Sequence, residues 1–321
     1  MTTVEKKQNK QWLIMGLILV ALIVVCIIFN MIYDGKFLTF KNISILVSHA
    51  IIPAFVGWGL CFVFACDFTD MSIGAVIVIA ANISGLLGMR VGYPGIIIGG
   101  ILSAMILVTF NYFIFVTTNI PSWIAGIGLA MLYEALAVLY SNKVTGNGGT
   151  LPQLPDNLRM LAKAPVIYIV FIIGFIIAYI IYNRTQAGIN IRALGSGIKV
   201  SQNMGINVKK TLISVGIICG FFVGVAALLN ESYNARMTAK SGLTSLAMIF
   251  QPMAAVLLAQ VLQSKINIII AIPICSLIVY TIFNMLTIAG VPTGTWQEAV
   301  LGAIVIIFGV IAQRKETGVV K

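Results

Sequence analysis

Apolar runs long enough to cross a bilayer dominate this chain and restrict it to one kind of fold. A helix needs about 20 largely apolar residues to span a hydrocarbon core of about 30 Å. About ten such runs lie near 12–32, 43–66, 72–89, 95–117, 122–141, 165–182, 211–230, 246–262, 266–286 and 296–312. Inside a bilayer, backbone polar groups must be satisfied within the protein, so runs of this length are helices. The expected fold class is therefore all-α, a polytopic transmembrane helical bundle, with residues 1–321 forming one membrane domain. Composition agrees, with 60% hydrophobic and 9% charged residues, against roughly 25% charged in soluble domains. The third run carries Asn82 and Ser84 and is short, so partial insertion is expected there. The basic segment MTTVEKKQNKQW leads into the first run. That run is too long for a signal-peptide core and has no small-x-small site after it, so it is expected to stay as a helix.

Charge orients the bundle. The net charge of +11 is read as loop bias toward the cytoplasm, with membrane lipid and no nucleic acid as the implied partner. With the N-terminus inside, twelve of the 20 Lys and Arg residues fall on the cytoplasmic side. The densest groups are the N-terminus, the 184–210 loop and the C-terminal tail. Both termini are then cytoplasmic, and 142–164 is an extracytoplasmic loop. That loop contains Gly146-Asn147-Gly148-Gly149, read as turns and a docking surface for an extracytoplasmic partner.

The five cysteines, Cys26, Cys61, Cys66, Cys219 and Cys275, lie in or beside apolar runs without a CxxC, and His49 is the sole histidine. This predicts packing residues, with no disulfide, metal or cofactor. GSGIKVS lacks the spacing of a phosphate-binding GxxxxGK[ST] loop, and neither HExxH nor a Ser/His/Asp set is present. No enzyme signature emerges, so any work against a gradient draws its energy from elsewhere.

Two segments align loosely at an offset of about 172 residues, placing Phe110-Asn111 on Phe283-Asn284, Pro121 near Pro292 and Ser72 on Ser245. The offset shifts the chain by five runs, an odd number, so the copies have opposite topology. Inverted repeats recur in transporters, whose two halves open alternately around a central pathway.

The polar residues within or beside the runs are the candidates for that pathway: Asp70, Ser72, Gly74, Asn111, Glu134, Thr244, Ser245, Gln251 and Asn284. In CDFTDMSIG, Asp70 or Ser72 is expected to cap the third helix. Glu134 leaves two readings open, an interfacial carboxylate or a costly group facing the bundle interior beside Tyr133 and Tyr140. Asn111 and Asn284 fit helix–helix hydrogen bonds as well as solute contacts. Glu298 is expected to complement a helix start.

NRTQAGINIRALGSGIKVSQNMGINVKK, from Asn183 to Lys210, has five basic residues, four glycines and no acidic residue. Ser196 is expected to cap a short helix over 197–204, ended by Gly205, with Val200 and Met204 on one face. Asn207 is a second candidate cap, for the seventh run. This stretch and the run after it resemble the cytoplasmic loop and following helix of ABC importer permeases of the ribose and branched-chain amino acid type. Their pattern is approximately RTxxGxxIxAxGxNxxAAxxxGINVxxxK, matched by Arg184-Thr185, Gly188, Ile191, Ala193, Gly195 and Gly205-Ile206-Asn207-Val208. DMSIG resembles the family's DLSVG. NIPSWIAGIGLAMLYEALAVLYSN resembles its xIPPFIVTLGMxxxxRGLALLYTN.

The resemblance implies a permease subunit that works with ABC ATPase subunits, a second permease (identical or different) and an extracytoplasmic solute-binding protein. The substrate implied is a small polar solute such as a sugar. It also implies a coupling helix docking on the ATPase through Arg192, Gly195, Ser196, Gly197, Ile198, Lys199, Val200, Ser201, Met204 and Gly205, with Lys209 and Lys210 beside it. Two features differ from the family. AAVLLAQVLQSKIN has Gln260 and Gln263 where the family has a glycine-rich turn, and Glu134 stands where the family often has Arg. A heteromeric permease whose partner keeps the glycine motif is one reading of the first difference. The residues alone leave open an ion-coupled transporter using Glu134 or Asp70, and a nucleoside or amino-acid substrate.

Overall fold

The computed structural model describes residues 23–118, 120–145, 152–263, 265–292 and 294–313. The described residues form α-helices and short 3-10 turns, with no strand among them. The helices are α1 (Ile23–Ile32), α2 (Phe40–Phe64), α3 (Ile73–Val91), α4 (Tyr93–Thr118), α5 (Ser122–Thr145), α6 (Val166–Arg184), α7 (Gln186–Gly195), α8 (Ile198–Asn203), α9 (Val208–Asn234), α10 (Ala247–Leu262), α11 (Ile268–Ile288) and α12 (Thr295–Gln313). Eight are long and apolar enough to cross a membrane: α2 to α6, α9, the segment Thr244–Leu262 that ends in α10, and α11. The apolar parts of α1 and α12 are shorter, and residues 12–22 of the first predicted run lie outside the described residues.

The third run proves to be a complete helix of 19 residues. Its polar side chains do not shorten it because each finds a carbonyl. Asn82 Nδ2 donates to Val78 O at 2.9 Å and Ser84 Oγ to Ile96 O at 2.8 Å.

The closest packing is between α4 and α9. Gly216, Gly220 and Gly224 recur every four residues along one face of α9. A Cβ at these positions would lie 3.0 Å from Thr109 Cα, 2.6 Å from Met105 Cα and 2.7 Å from Ile101 Cα. The register runs backwards along α4, so the two helices are antiparallel. Lipid tails are as apolar as leucine, so helices in a bilayer associate by close van der Waals packing, which small residues permit. On the other side of α9 lies α2, which is apolar all round and buried along most of its length, as expected of a central helix. Trp58 of α2 packs among Phe55, Phe171, Phe175 and Phe222.

Pro273 lies inside α11. Proline has no N–H, so the carbonyl four residues earlier loses its helical donor. That carbonyl belongs to Ile269, and it accepts the Trp58 indole N–H at 3.0 Å.

At one end of the bundle, 3-10 turns at Asp156–Leu158 and Met160–Ala162 fold onto the end of α9. Arg159 donates to Tyr233 O at 2.7 Å and Ser232 O at 3.2 Å and pairs with Asp156 at 3.0 Å. This half of the predicted turn-rich loop is thus pinned to the bundle. Gly146-Asn147-Gly148-Gly149 lies outside the described residues. Glu298 stands in the first turn of α12, as expected.

Gly220→Ala should destabilise the protein by about 1–3 kcal/mol through overpacking, read as a lower unfolding temperature in detergent. Gly302→Ala, on α12 with nothing within 4 Å of the new Cβ, should leave that temperature unchanged.

Candidate functional site

Two helices begin inside the bundle, beside the interiors of α4 and α5, and most of the polar candidates meet there. The first start is that of α3. Ser72 occupies its N-cap position, but its side chain makes no capping bond. Asp70 does this work instead: its Oδ1 accepts from Ser72 N at 2.9 Å and from Ser72 Oγ at 2.7 Å. Its Oδ2 accepts from Asn111 Nδ2 at 3.1 Å. Asn111 Nδ2 also donates to Ser72 Oγ at 2.5 Å, and Asn111 Oδ1 accepts from Tyr133 OH at 2.6 Å. These four side chains are buried and tie the start of α3 to α4 and α5. Burial pushes the Asp70 carboxyl up from the ordinary carboxylate range, and the Ser72 and Asn111 bonds draw it back. Gly126 of α5 lets this approach happen, since a Cβ there would sit 2.7 Å from Met71 N.

The second start is that of the helical segment from Thr244 into α10. Its first N–H groups lack helical partners and need acceptors, that of Ser245 being buried and that of Leu243 partly buried. Glu134 supplies them from α5: Oε2 accepts from Leu243 N at 2.7 Å and Oε1 from Ser245 N at 2.8 Å. Leu243 itself is left-handed, with φ 65°. The Glu134 side chain is 2% exposed, which decides between the two readings left open by the sequence in favour of the bundle interior. Tyr133 serves Asn111 rather than Glu134, and Tyr140 is exposed.

The two starts touch. A Cβ on Gly74 would collide with the backbone carbonyl of Ser245. Ser72 and Ser245, superposed in the loose sequence alignment, thus stand at two helix starts that cross. Thr244 is exposed and its hydroxyl donates to Ser241 O at 2.9 Å. Gln251, one to two turns into α10, is half-buried with an unpartnered amide nitrogen. Asn284 is not part of this group. It pairs reciprocally with Asn42 of α2 at 2.9 and 3.0 Å, so the two aligned asparagines have different surroundings.

The 186–205 segment forms two helices where one was expected. Thr185 caps α7 by accepting from Gly188 N at 3.2 Å, and Ile191 and Leu194 bury one face of it. Ser196 is the C-cap of α7 and not the N-cap of the next helix. That position belongs to Gly197, whose φ of 126° disfavours a side chain. α8 spans six residues, and Gly205, with φ 79°, follows it closely. Ser201 faces inward and donates to Ala193 O at 2.8 Å, joining α8 to α7. Asn207 caps α9, accepting from Lys210 N at 3.0 Å.

Arg192 is not turned outward with the lysines. It donates to Tyr182 O at 2.6 Å and lies 4.8 Å over the Tyr182 ring. The outward surface is made by Ile198, Val200 and Met204, with Lys199 among them. Gly195 packs against the carbonyl of Ala65 at the end of α2, too closely for a Cβ.

Sequence reasoning missed α7, although a threonine cap followed by apolar residues three apart marks it. It also missed the partners of Glu134, which lie 109 and 111 residues away. Glu134→Ala should leave two buried N–H groups unpaired at about 1–3 kcal/mol each. Amide hydrogen exchange at Leu243 and Ser245 should then accelerate by about tenfold or more, with Glu134→Gln intermediate. Unchanged protection in the alanine variant would show that the carboxylate does not hold this helix start.

The family model described as branched-chain amino acid transport system / permease component matches residues 42–309. The D-allose transport system permease protein AlsC of Escherichia coli is 24% identical, over 89% of this chain and 87% of its own length. The ribose import permease protein RbsC of Bacillus subtilis is 24% identical, over 91% of both chains. The fructose import permease protein FrcC of Rhizobium meliloti is also 24% identical, over 65% of this chain and 61% of its own length. No solved structure matches the chain. A match across nearly all the described bundle, on helices long and apolar enough to span, places this chain in the family of branched-chain amino acid transport system permease components, as a multi-pass protein of the inner membrane.

Proposed function

We propose that this chain is a permease subunit of an ATP-driven ABC importer that carries a monosaccharide inward. It pairs with a second permease, two ATPase subunits and an extracytoplasmic solute-binding protein. In this proposal the chain has about ten spans, with both termini and the 186–205 segment on the cytoplasmic side, which the bias of Lys and Arg supports. The relatives' names supply the solute class: allose, ribose and fructose are monosaccharides.

The observation that carries the coupling role is the surface of α8. Ile198, Val200 and Met204 are 45%, 52% and 69% exposed on a short helix between two left-handed glycines. An apolar cluster presented at the end of a bundle fits a protein partner. A push on α8 passes through Ser201 to α7, and through the Gly195 contact to α2. The crossing of the two helix starts is then the pivot of the pathway. In this conformation the oxygens of Asp70 and Glu134 accept from protein donors. Such donor-saturated carboxylates do not favour a cation site, which argues against an ion-coupled mechanism.

Uptake in energised vesicles tests the class. It should require ATP and the partner ATPase, and uptake driven by an ion gradient alone would refute it. Gly205→Val should add about 1–2 kcal/mol of left-handed backbone strain, lowering the docking-competent population by about tenfold. Sugar uptake should fall accordingly while the ATPase still hydrolyses ATP, measured side by side in proteoliposomes. Asp70→Ala should impair uptake more than Asp67→Ala, because only Asp70 is bound into the buried brace.

A further inference from the structure

A cavity of about 830 Å³ opens between the ends of α2, α6, α7 and α10. This is within the range of about 300–1,000 Å³ typical of small-molecule sites. It is distinct from the buried crossing but adjoins it, since Thr69 in its wall is next to Asp70 in sequence. On α10, Met253, Leu257 and Gln260 recur three and four residues apart, so one face of that helix runs along the cavity away from the crossing. At its far end the cavity is bounded by Arg192 and Ser196 of the coupling segment.

The chemistry of the wall selects a ligand. Gln260 and Gln263 contribute carboxamides, each able to donate and accept. Thr69 adds a hydroxyl, and Asp67, held in a left-handed conformation with φ 60°, adds a carboxylate. Among the described residues of the wall Arg192 is the one cation, and its guanidinium contacts the Tyr182 carbonyl and ring. Asp67 and Arg192 bring opposite charges to one wall, so charge alone selects neither an anion nor a cation. A neutral solute with many hydroxyls suits carboxamides, carboxylate and hydroxyl together.

We infer that this cavity is a solute site at the cytoplasmic mouth of the permease, binding a neutral monosaccharide through Gln260, Gln263, Asp67 and Thr69. The inference rests on the transport reading above and deepens it. Bound solute would touch α10 on one side and the coupling segment on the other, so occupancy would be sensed where the ATPase docks.

Native membranes containing the full chain and its partner subunits allow a test. Uptake into cells first identifies which of D-ribose, D-allose and D-fructose is carried. Inside-out vesicles with Gln260→Cys or Gln263→Cys are then treated with a membrane-impermeant maleimide, with the unmodified chain as background. Both positions should label from the cytoplasmic face, and the carried sugar at millimolar concentration should slow labelling severalfold. Ribose 5-phosphate should give no protection. Uptake of a sugar that protects neither position would overturn the cavity assignment and leave the transport reading standing. Protection by ribose 5-phosphate equal to that by the sugar would overturn the neutral-ligand assignment. Uptake of none of the three sugars would overturn the monosaccharide reading itself, and this assignment with it.

Discussion

The close contact of α4 and α9 is the constraint on which the rest of the bundle depends. Three glycines on α9 bring two backbones together without intervening side chains. This puts α4 where Asn111 can reach the start of α3, and α9 where its other face packs on α2. A bilayer gives helices little hydrophobic reason to associate with one another rather than with lipid, so shape carries the specificity. The same logic recurs at Gly126 and Gly74, where a missing side chain lets a helix meet the backbone of another. Position by position, the chain uses absent atoms to fix where its polar atoms fall.

Those polar atoms are then spent on one another. A helix that starts inside the protein leaves N–H groups that water does not reach, and each must find an acceptor within the protein. The α3 start finds Asp70 within its own connection, supported by Asn111 and Tyr133. The start leading into α10 finds Glu134 on a different helix. The first is a local cap and the second a long-range one, so the two starts are secured by unlike means even though their serines align. Family membership and this arrangement together give a coherent permease: a buried polar brace where two helices begin, an open polar cavity beside it, and an apolar knob on a short helix at the far end.

Much of the fold was legible from hydropathy alone, because span length is set by the bilayer and not by subtle packing. Every described spanning helix coincides with a predicted run, and Asn207 was readable as a cap because capping is local. The α9 glycine seam was equally legible as a four-residue spacing, yet it passes unnoticed when attention rests on polar residues. Glu134 was less readable. Its role depends on two backbone N–H groups more than a hundred residues away, and side-chain identity does not encode which backbone will arrive. Ser196 was misassigned for a related reason: serine is a good cap, but the preceding residues already formed a helix that it terminates. Arg192 looked like a surface charge until the Tyr182 carbonyl and ring were brought beneath it.

The proline of α11 has a mechanical consequence. A proline normally gives a helix a soft point, because the carbonyl it strands can swing freely toward water or a neighbour. In this chain that carbonyl is taken by the indole of Trp58 on α2, which is itself packed among aromatic rings of α2, α6 and α9. The proline turn of α11 is therefore tied to the central helix. Sliding α11 past α2 would pull the tryptophan from its rings. Whatever rocking motion the bundle makes, these two helices travel as one lever.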